Sequence, residues 1–266
     1  MKISTTFRKL LKHPGAKLWA VLVWLILWQL IYELTNEDRR DLLLSSPVQV
    51  AEKLWQMMTT KEYLYWRRVA FSSIDVMAGM LLGALAGTLL GSAAFFVSFI
   101  KELFKPLVSV IRSIPVVTFT IIAIYWVGYR ELGMVVAFLI CFPVFYSNSL
   151  LGLGLADEKL IEMANVFKLG FFRKFKSVYL PPLISQLLAA GEVAVGLAWK
   201  SGIAAEYIAM VTNVHSVGAG LYISKGRWLT SETLAWTVTI VALSALFSAL
   251  FRMLMRLAAG RWGSAK

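Results

Sequence analysis

Five ionisable side chains, Asp75, Arg112, Glu192, Lys200 and Glu206, stand inside stretches of the chain that are otherwise apolar. A charge at the centre of a membrane helix costs about 2.5–3.5 kcal/mol unless it is paired or hydrated, so each marks either a structural pair or a polar route. Three of them share one stretch. There Glu192, Val195, Trp199 and then Gly202 or Glu206 recur at helical spacing, with Lys200 among them. This predicts a polar seam facing a cavity or a subunit axis. The same residues allow internal pairing instead, Lys200 with Glu206 or Asp75 with a neighbour. Arg112, close to Pro115, is expected at the cytoplasmic end of its span in a structural role. A cation on a pathway suits an anionic solute. A proton or ion relay through Glu192, Lys200 and Glu206, as in a secondary transporter, is the alternative use of this set.

Other chemistry finds little support. No Gly-x-x-x-x-Gly-Lys phosphate loop occurs, so the chain is not expected to bind ATP by itself. His13 and His215 are far apart and fall on opposite predicted sides of the membrane, and Cys141 stands alone in an apolar run, which leaves no metal or disulfide framework. Ser98-Phe99-Ile100-Lys101 fits a Ser-x-x-Lys pattern but lies at a span end without its companion motifs. No catalytic residue, metal ligand or cofactor is expected in this chain.

The elements that position these residues are membrane helices. Hydrophobic residues make up 59% of the 266, charged residues only 16%, and the mean hydropathy is +0.70, far from the balance of a soluble domain. The net charge of +12 is spread over loops that flank apolar runs, which points to membrane orientation and away from a nucleic-acid partner. Six spans are expected, about 18–34, 69–100, 110–127, 132–153, 183–210 and 233–254, in one transmembrane domain over 1–266. The first follows a basic start but lacks a small-x-small cleavage pattern, so it is expected to remain in the protein. A segment with Ser45-Ser46-Pro47 as a helix start and Val50, Leu54, Met57 and Met58 as its stripe is expected on the outer surface. Gly79, Gly83, Gly87 and Gly91 recur every four residues in the second span and clear one helix face for close approach of another backbone. Pro115 predicts a break or a start within the third.

Lys and Arg near span ends set the orientation. One side gathers Lys2, Arg8, Lys9, Lys12, Lys17, Lys101, Lys105, Lys159, Lys168, Arg173, Lys174, Lys176, Arg252, Arg256, Arg261 and Lys266. The other holds Arg39, Arg40, Lys53, Lys61, Arg67, Arg68, Arg130, Lys225 and Arg227. The first set is larger, so both termini and the polar segment 157–181 are expected in the cytoplasm.

That segment interrupts the apolar chain most sharply. Leu160, Met163, Ala164 and Phe167 fall at i, i+3, i+4 and i+7, with Glu158, Glu162 and Asn165 on the other side, which predicts a short amphipathic helix in need of a partner surface. Glu162-Met163-Ala164, Lys168, Val178 and Leu180-Pro181 follow the spacing of a Glu-Ala-Ala, Gly, Ile, Leu-Pro pattern. This resembles the cytoplasmic loop of ABC-importer permeases. Ser46-Pro47-x-x-Val50, Arg112-Ser113-Ile114-Pro115 and Gly196-Leu197-Ala198-Trp199 followed by Ala205-Glu206 extend the likeness to the nitrate/sulfonate/taurine type over nearly the whole chain.

The resemblance implies an all-α membrane fold of the type I importer permease arrangement, with a coupling helix between spans four and five. It implies two cytoplasmic ATPase subunits that carry ATP and magnesium, a second permease copy, an extracytoplasmic substrate-binding protein, and a bacterial inner membrane. Leu160, Glu162, Met163, Ala164 and Phe167 would seat the coupling helix, Phe171, Phe172 and Arg173 would make turn-side contacts, and Lys168, Gly170, Leu180 and Pro181 would belong to the same ATPase-coupling loop. Lys168 occupies the pattern's Gly position. A left-handed turn there costs Lys roughly 1 kcal/mol or more, so Gly170 is expected to serve the turn instead.

Overall fold

The computed structural model describes residues 14–35, 43–209 and 215–263. His13, the basic residues Lys2, Arg8, Lys9 and Lys12, the acidic and basic residues 37–41, and Lys266 lie outside the described residues, so the expectations placed on them do too. Every described element is helical. Contacts divide the chain into two units, Met1–Leu64 with Ile223–Thr237 and Tyr65–Tyr222 with Val238–Lys266.

In the first unit, α1 (Pro14–Leu34) is followed by α2 (Pro47–Thr59) and a 3-10 turn (Lys61–Tyr63). Helix α2 starts where Ser-Pro predicts. Ser46 Oγ accepts from Gln49 N at 3.1 Å and Gln49 Oε1 accepts from Ser46 N at 2.8 Å, a reciprocal capping box with Pro47 in the first turn. Val50 and Met57 are buried from its apolar stripe. Trp28 Nε1 donates to Ser45 O at 3.1 Å, and Lys53 Nζ donates to Tyr63 Oη at 2.7 Å.

The second unit is built on α3 (Tyr65–Phe96), α4 (Ser98–Ser113), α5 (Val116–Val127), α6 (Leu132–Gly154) and α9 (Leu180–Ile208). The polar segment supplies α7 (Glu158–Val166), α8 (Phe171–Lys174) and a π-helical turn (Phe175–Tyr179). Helix α10 (Val217–Gly226) and α11 (Thr230–Gly263) complete the chain, each running across a unit boundary.

Lys61–Phe96, Leu132–Gly154, Phe171–Ile208 and Thr230–Met255 are long and apolar enough to cross a bilayer, and α4 with α5 makes a fifth crossing if the bent pair is one span. The expected span 18–34 lies in α1, whose apolar part, Val21–Leu34, is shorter than a full crossing among the described residues. The expected span 69–100 ends at Phe96, where Val97 turns extended at φ −124° before α4 begins. The expected span 110–127 is two helices bent by 110°. Pro115 has no N–H to continue a helix and holds Ile114 extended at φ −75°, ψ 127°, which ends α4 there.

Helices α3 and α6 form the largest contact of the unit, and α6 with α9 the next. The four glycines face α6 at a matching four-residue step. A methyl on Gly83, Gly87 or Gly91 would come within 2.5–2.7 Å of the carbonyl oxygens of Phe138, Phe142 and Tyr146, and one on Gly79 would meet Met134 O. Such distances allow no side chain, so the two backbones lie against one another. Gly152 gives α6 the same approach to Leu183 of α9.

Candidate functional site

The polar segment folds as its periodicity predicts, with a cap that spacing alone did not reveal. Asp157 Oδ1 accepts from Lys159 N at 2.9 Å and starts α7. At the other end Leu169 N donates to Ala164 O at 2.9 Å and Lys168 N to Asn165 O at 3.0 Å, the paired bonds of a Schellman stop. Its left-handed residue is Lys168, at φ +52°. Gly170 instead lies at φ −62°, ψ 154° with open space where a Cβ would stand, so the turn falls on the lysine and not on the glycine expected to replace it. The bonds to Ala164 and Asn165 carry the strain that position imposes. Lys174 Nζ donates to Asn165 Oδ1 at 2.8 Å and ties the returning strand of chain to α7.

Only Ala164 of the expected stripe is buried by its own chain, at 1% exposure. Leu160, Met163 and Phe167 are exposed, as are Glu162, Arg173 and Phe172, the last at 87%. Behind them a group of rings anchors the segment. Phe96, at the end of α3, lies 5.7 Å from Phe171 and 5.5 Å from Tyr179, and Phe95 lies 6.0 Å from Tyr179. Phe175 stands 6.1 Å from Phe171 and 6.4 Å from Tyr179 on the intervening π-helical turn. Phe171, Phe172 and Arg173 stand out in the sequence, but nothing in their spacing points to Phe95 and Phe96 on α3. Leu180 is half-buried and Pro181 exposed in the first turn of α9, where proline needs no donor.

The charged set of α9 divides by burial. Val195, Trp199, Gly202 and Glu206 are buried. Glu192, at helical spacing from Val195 and Trp199, is exposed, as are Lys200, Val193 and Leu197. Glu206 does not pair with Lys200; it accepts from Ser72 and Gly218.

Glu206 has other partners. Its Oε2 accepts from Ser72 Oγ at 2.8 Å and from Gly218 N at 3.0 Å, while Ser72 Oγ accepts from Val217 N at 2.9 Å. Ser216 Oγ accepts from Ala219 N at 3.0 Å. Three side chains thus take the first free N–H groups of α10, between the expected spans 183–210 and 233–254. Asp75 plays the same part for α6, accepting from Met134 N through Oδ2 at 2.9 Å. Both carboxylates face Gly133, where a methyl would stand 2.7 Å from Asp75 Oδ2 and 3.3 Å from Glu206 Oε1. Negative charge at a helix start meets the positive end of the helix dipole, which offsets part of the cost of placing it in a bilayer. Arg112 Nη2 donates to Pro143 O at 2.8 Å and Ser147 Oγ at 2.7 Å, joining α4 to α6. No group of three or more metal-ligating side chains occurs among the described residues.

Relatives place this arrangement. The chain is 25% identical to the aliphatic sulfonates transport permease protein SsuC of Bacillus subtilis over 92% of its own length and 89% of the relative's. It is 25% identical to the nitrate import permease protein NrtB of Leptolyngbya laminosa over 77% of this chain and 72% of that one. With the taurine transport system permease protein TauC of Escherichia coli it shares 23% identity over 77% and 74%. The family model for binding-protein-dependent transport system inner membrane components matches residues 79–262, from the glycine seam through the loop helix to the last span. The chain belongs to that family and is a multi-pass permease subunit of an ABC importer.

Proposed function

We propose that α7 is the element through which a separate cytoplasmic ATPase drives this permease. The observation that carries the reading is that Leu160, Met163 and Phe167 stand uncovered on α7 while Phe171, Phe175 and Tyr179 tie the same segment to Phe96 at the end of α3. One face is free for a partner and the other is fastened to two spans. Closure of a nucleotide-bound ATPase pair would push α7, and the ring cluster would pass the displacement to α3 and α9. ATP and magnesium belong to the ATPase in this reading.

The working unit is proposed as two copies of this chain, two ATPase subunits and an extracytoplasmic binding protein, in a bacterial inner membrane with both termini and α7 on the cytoplasmic side. The exposed face of α9 that carries Glu192 and Lys200 is proposed to line the pathway, with Val195, Trp199 and Glu206 supporting it from the buried side. The solute is proposed to be a small anion, since the relatives are named for sulfonates, nitrate and taurine and Lys200 is exposed on that face. A secondary-transporter relay through Glu192, Lys200 and Glu206 is disfavoured because Glu206 is buried against Ser72 and Gly218 while Glu192 and Lys200 are exposed.

The test is copurification of the tagged permease with its ATPase, followed by uptake in cells. Wild-type protein should retain the ATPase, and Glu162→Lys should release it while the permease stays folded. Uptake should stop when ATP is collapsed and persist when the proton gradient alone is collapsed. The reverse dependence would overturn the reading.

A further inference from the structure

We propose that the groove between α4 and α6 is a binding site for an oxyanion, either a small sulfonate- or phosphate-like solute or the phosphate of an anionic lipid. Lys101, Lys105, Ser109 and Arg112 recur at i, i+4, i+8 and i+11 and bring one face of α4 to a cleft of about 430 Å³ completed by Tyr146 and Ser147 of α6. The opposite face of α4 exposes Phe99, Leu103, Leu107 and Val110, so the helix separates apolar from cationic surface along its length. No carboxylate lines the cleft.

Two features make this more than a charged surface. Arg112 is held in place through Nη2 alone, by Pro143 O and Ser147 Oγ, so its remaining N–H donors have no acceptor among the described residues. Tyr146 is 3% exposed, and its buried hydroxyl has no hydrogen-bond partner. A buried hydroxyl without a partner is costly, and an oxygen-rich anion held by the guanidinium would satisfy it once the Tyr146 ring turns its sealed hydroxyl into the cleft. The two lysines at the mouth would supply the long-range attraction. Glu102 acts on Tyr146 electrostatically but does not line the cleft, where the cations outnumber it, and an apolar ligand would leave the same donors unmet.

Protection of Lys101 and Lys105 from an amine-reactive reagent tests the site on the full chain in detergent, read by mass spectrometry with exposed Lys159 as the internal reference. Sodium methanesulfonate or phosphate should slow labelling of both lysines several-fold relative to sodium chloride at equal ionic strength. Tyr146→Phe keeps the ring and should raise the half-protecting concentration roughly three- to tenfold, the worth of one lost hydrogen bond. Arg112→Gln should abolish protection.

Protection by the small anions in lipid-free micelles identifies a solute site. Protection that needs phosphatidylglycerol in the micelles, and is not given by phosphatidylcholine, identifies a lipid headgroup site. Labelling that none of these slows, or slowing that Tyr146→Phe leaves unchanged, overturns the proposal. The readout needs neither ATPase nor uptake, so its failure would leave the proposed coupling role of α7 untouched.

Discussion

Lys168 and Glu206 show how much of this protein's behaviour rests on single side chains. Lys168 holds a left-handed backbone that glycine would adopt without strain, so Lys168→Gly should stabilise the loop by about 1 kcal/mol. Hydrogen exchange at the Leu169 amide, bonded to Ala164 O, should slow in that variant and quicken in Lys168→Val, whose branched Cβ resists the conformation further. Glu206 is a structural acceptor for Ser72 and Gly218. Glu206→Gln keeps an acceptor oxygen and should melt close to wild type in detergent, whereas Glu206→Leu strands a buried hydroxyl and a buried N–H and should lose at least about 2 kcal/mol. The intramembrane charges could be picked out of the sequence because a charge in an apolar run is conspicuous. Their partners could not, because Ser72 and Gly218 lie 134 and 12 residues away and carry no periodic signal.

Among elements, the α3–α6 seam and the α4–α5 bend set the geometry. Gly87→Val should disrupt the seam, since even a methyl at Gly87 would stand 2.5 Å from Phe142 O. A loss of about 3 kcal/mol or more, seen as aggregation on extraction or a large fall in melting temperature, is expected. Phe96 joins the seam to the polar loop. Phe96→Ala should leave ATPase binding intact while lowering transport, and the two assays together separate docking from transmission. The glycine period and the loop stripe were visible in sequence because both repeat along a helix. The identity of α6 as the glycines' partner was not, and neither was the ring contact across α3, because contacts between elements distant in sequence leave no spacing to count. Pro115 announced a break, but the 110° it opens depends on what packs beside it, which Val116, Phe119 and the α6–α9 core residues Leu132, Val136 and Ala205 supply.

At the scale of the whole molecule, α7 leaves its chain with an uncovered apolar face, which the proposed coupling role would cover with the ATPase. Replacing Leu160 and Phe167 together by Ser should leave the melting temperature of the isolated permease within about 4 °C, because both are exposed and surface substitutions shift stability little. The same double variant should lose the ATPase on copurification. Membrane character, helical class and the loop helix followed from composition and periodicity; the two-unit division of contacts and helix α10 did not, since α10 falls between two expected spans and its start is held by Glu206, Ser72 and Ser216. That corner has a consequence for biosynthesis. Ser72 leaves the ribosome long before Glu206, and the amides it helps to satisfy come later still. The corner can therefore close only once the chain has been made past Gly218, so the start of α10 and the fixing of Glu206 belong to one late step.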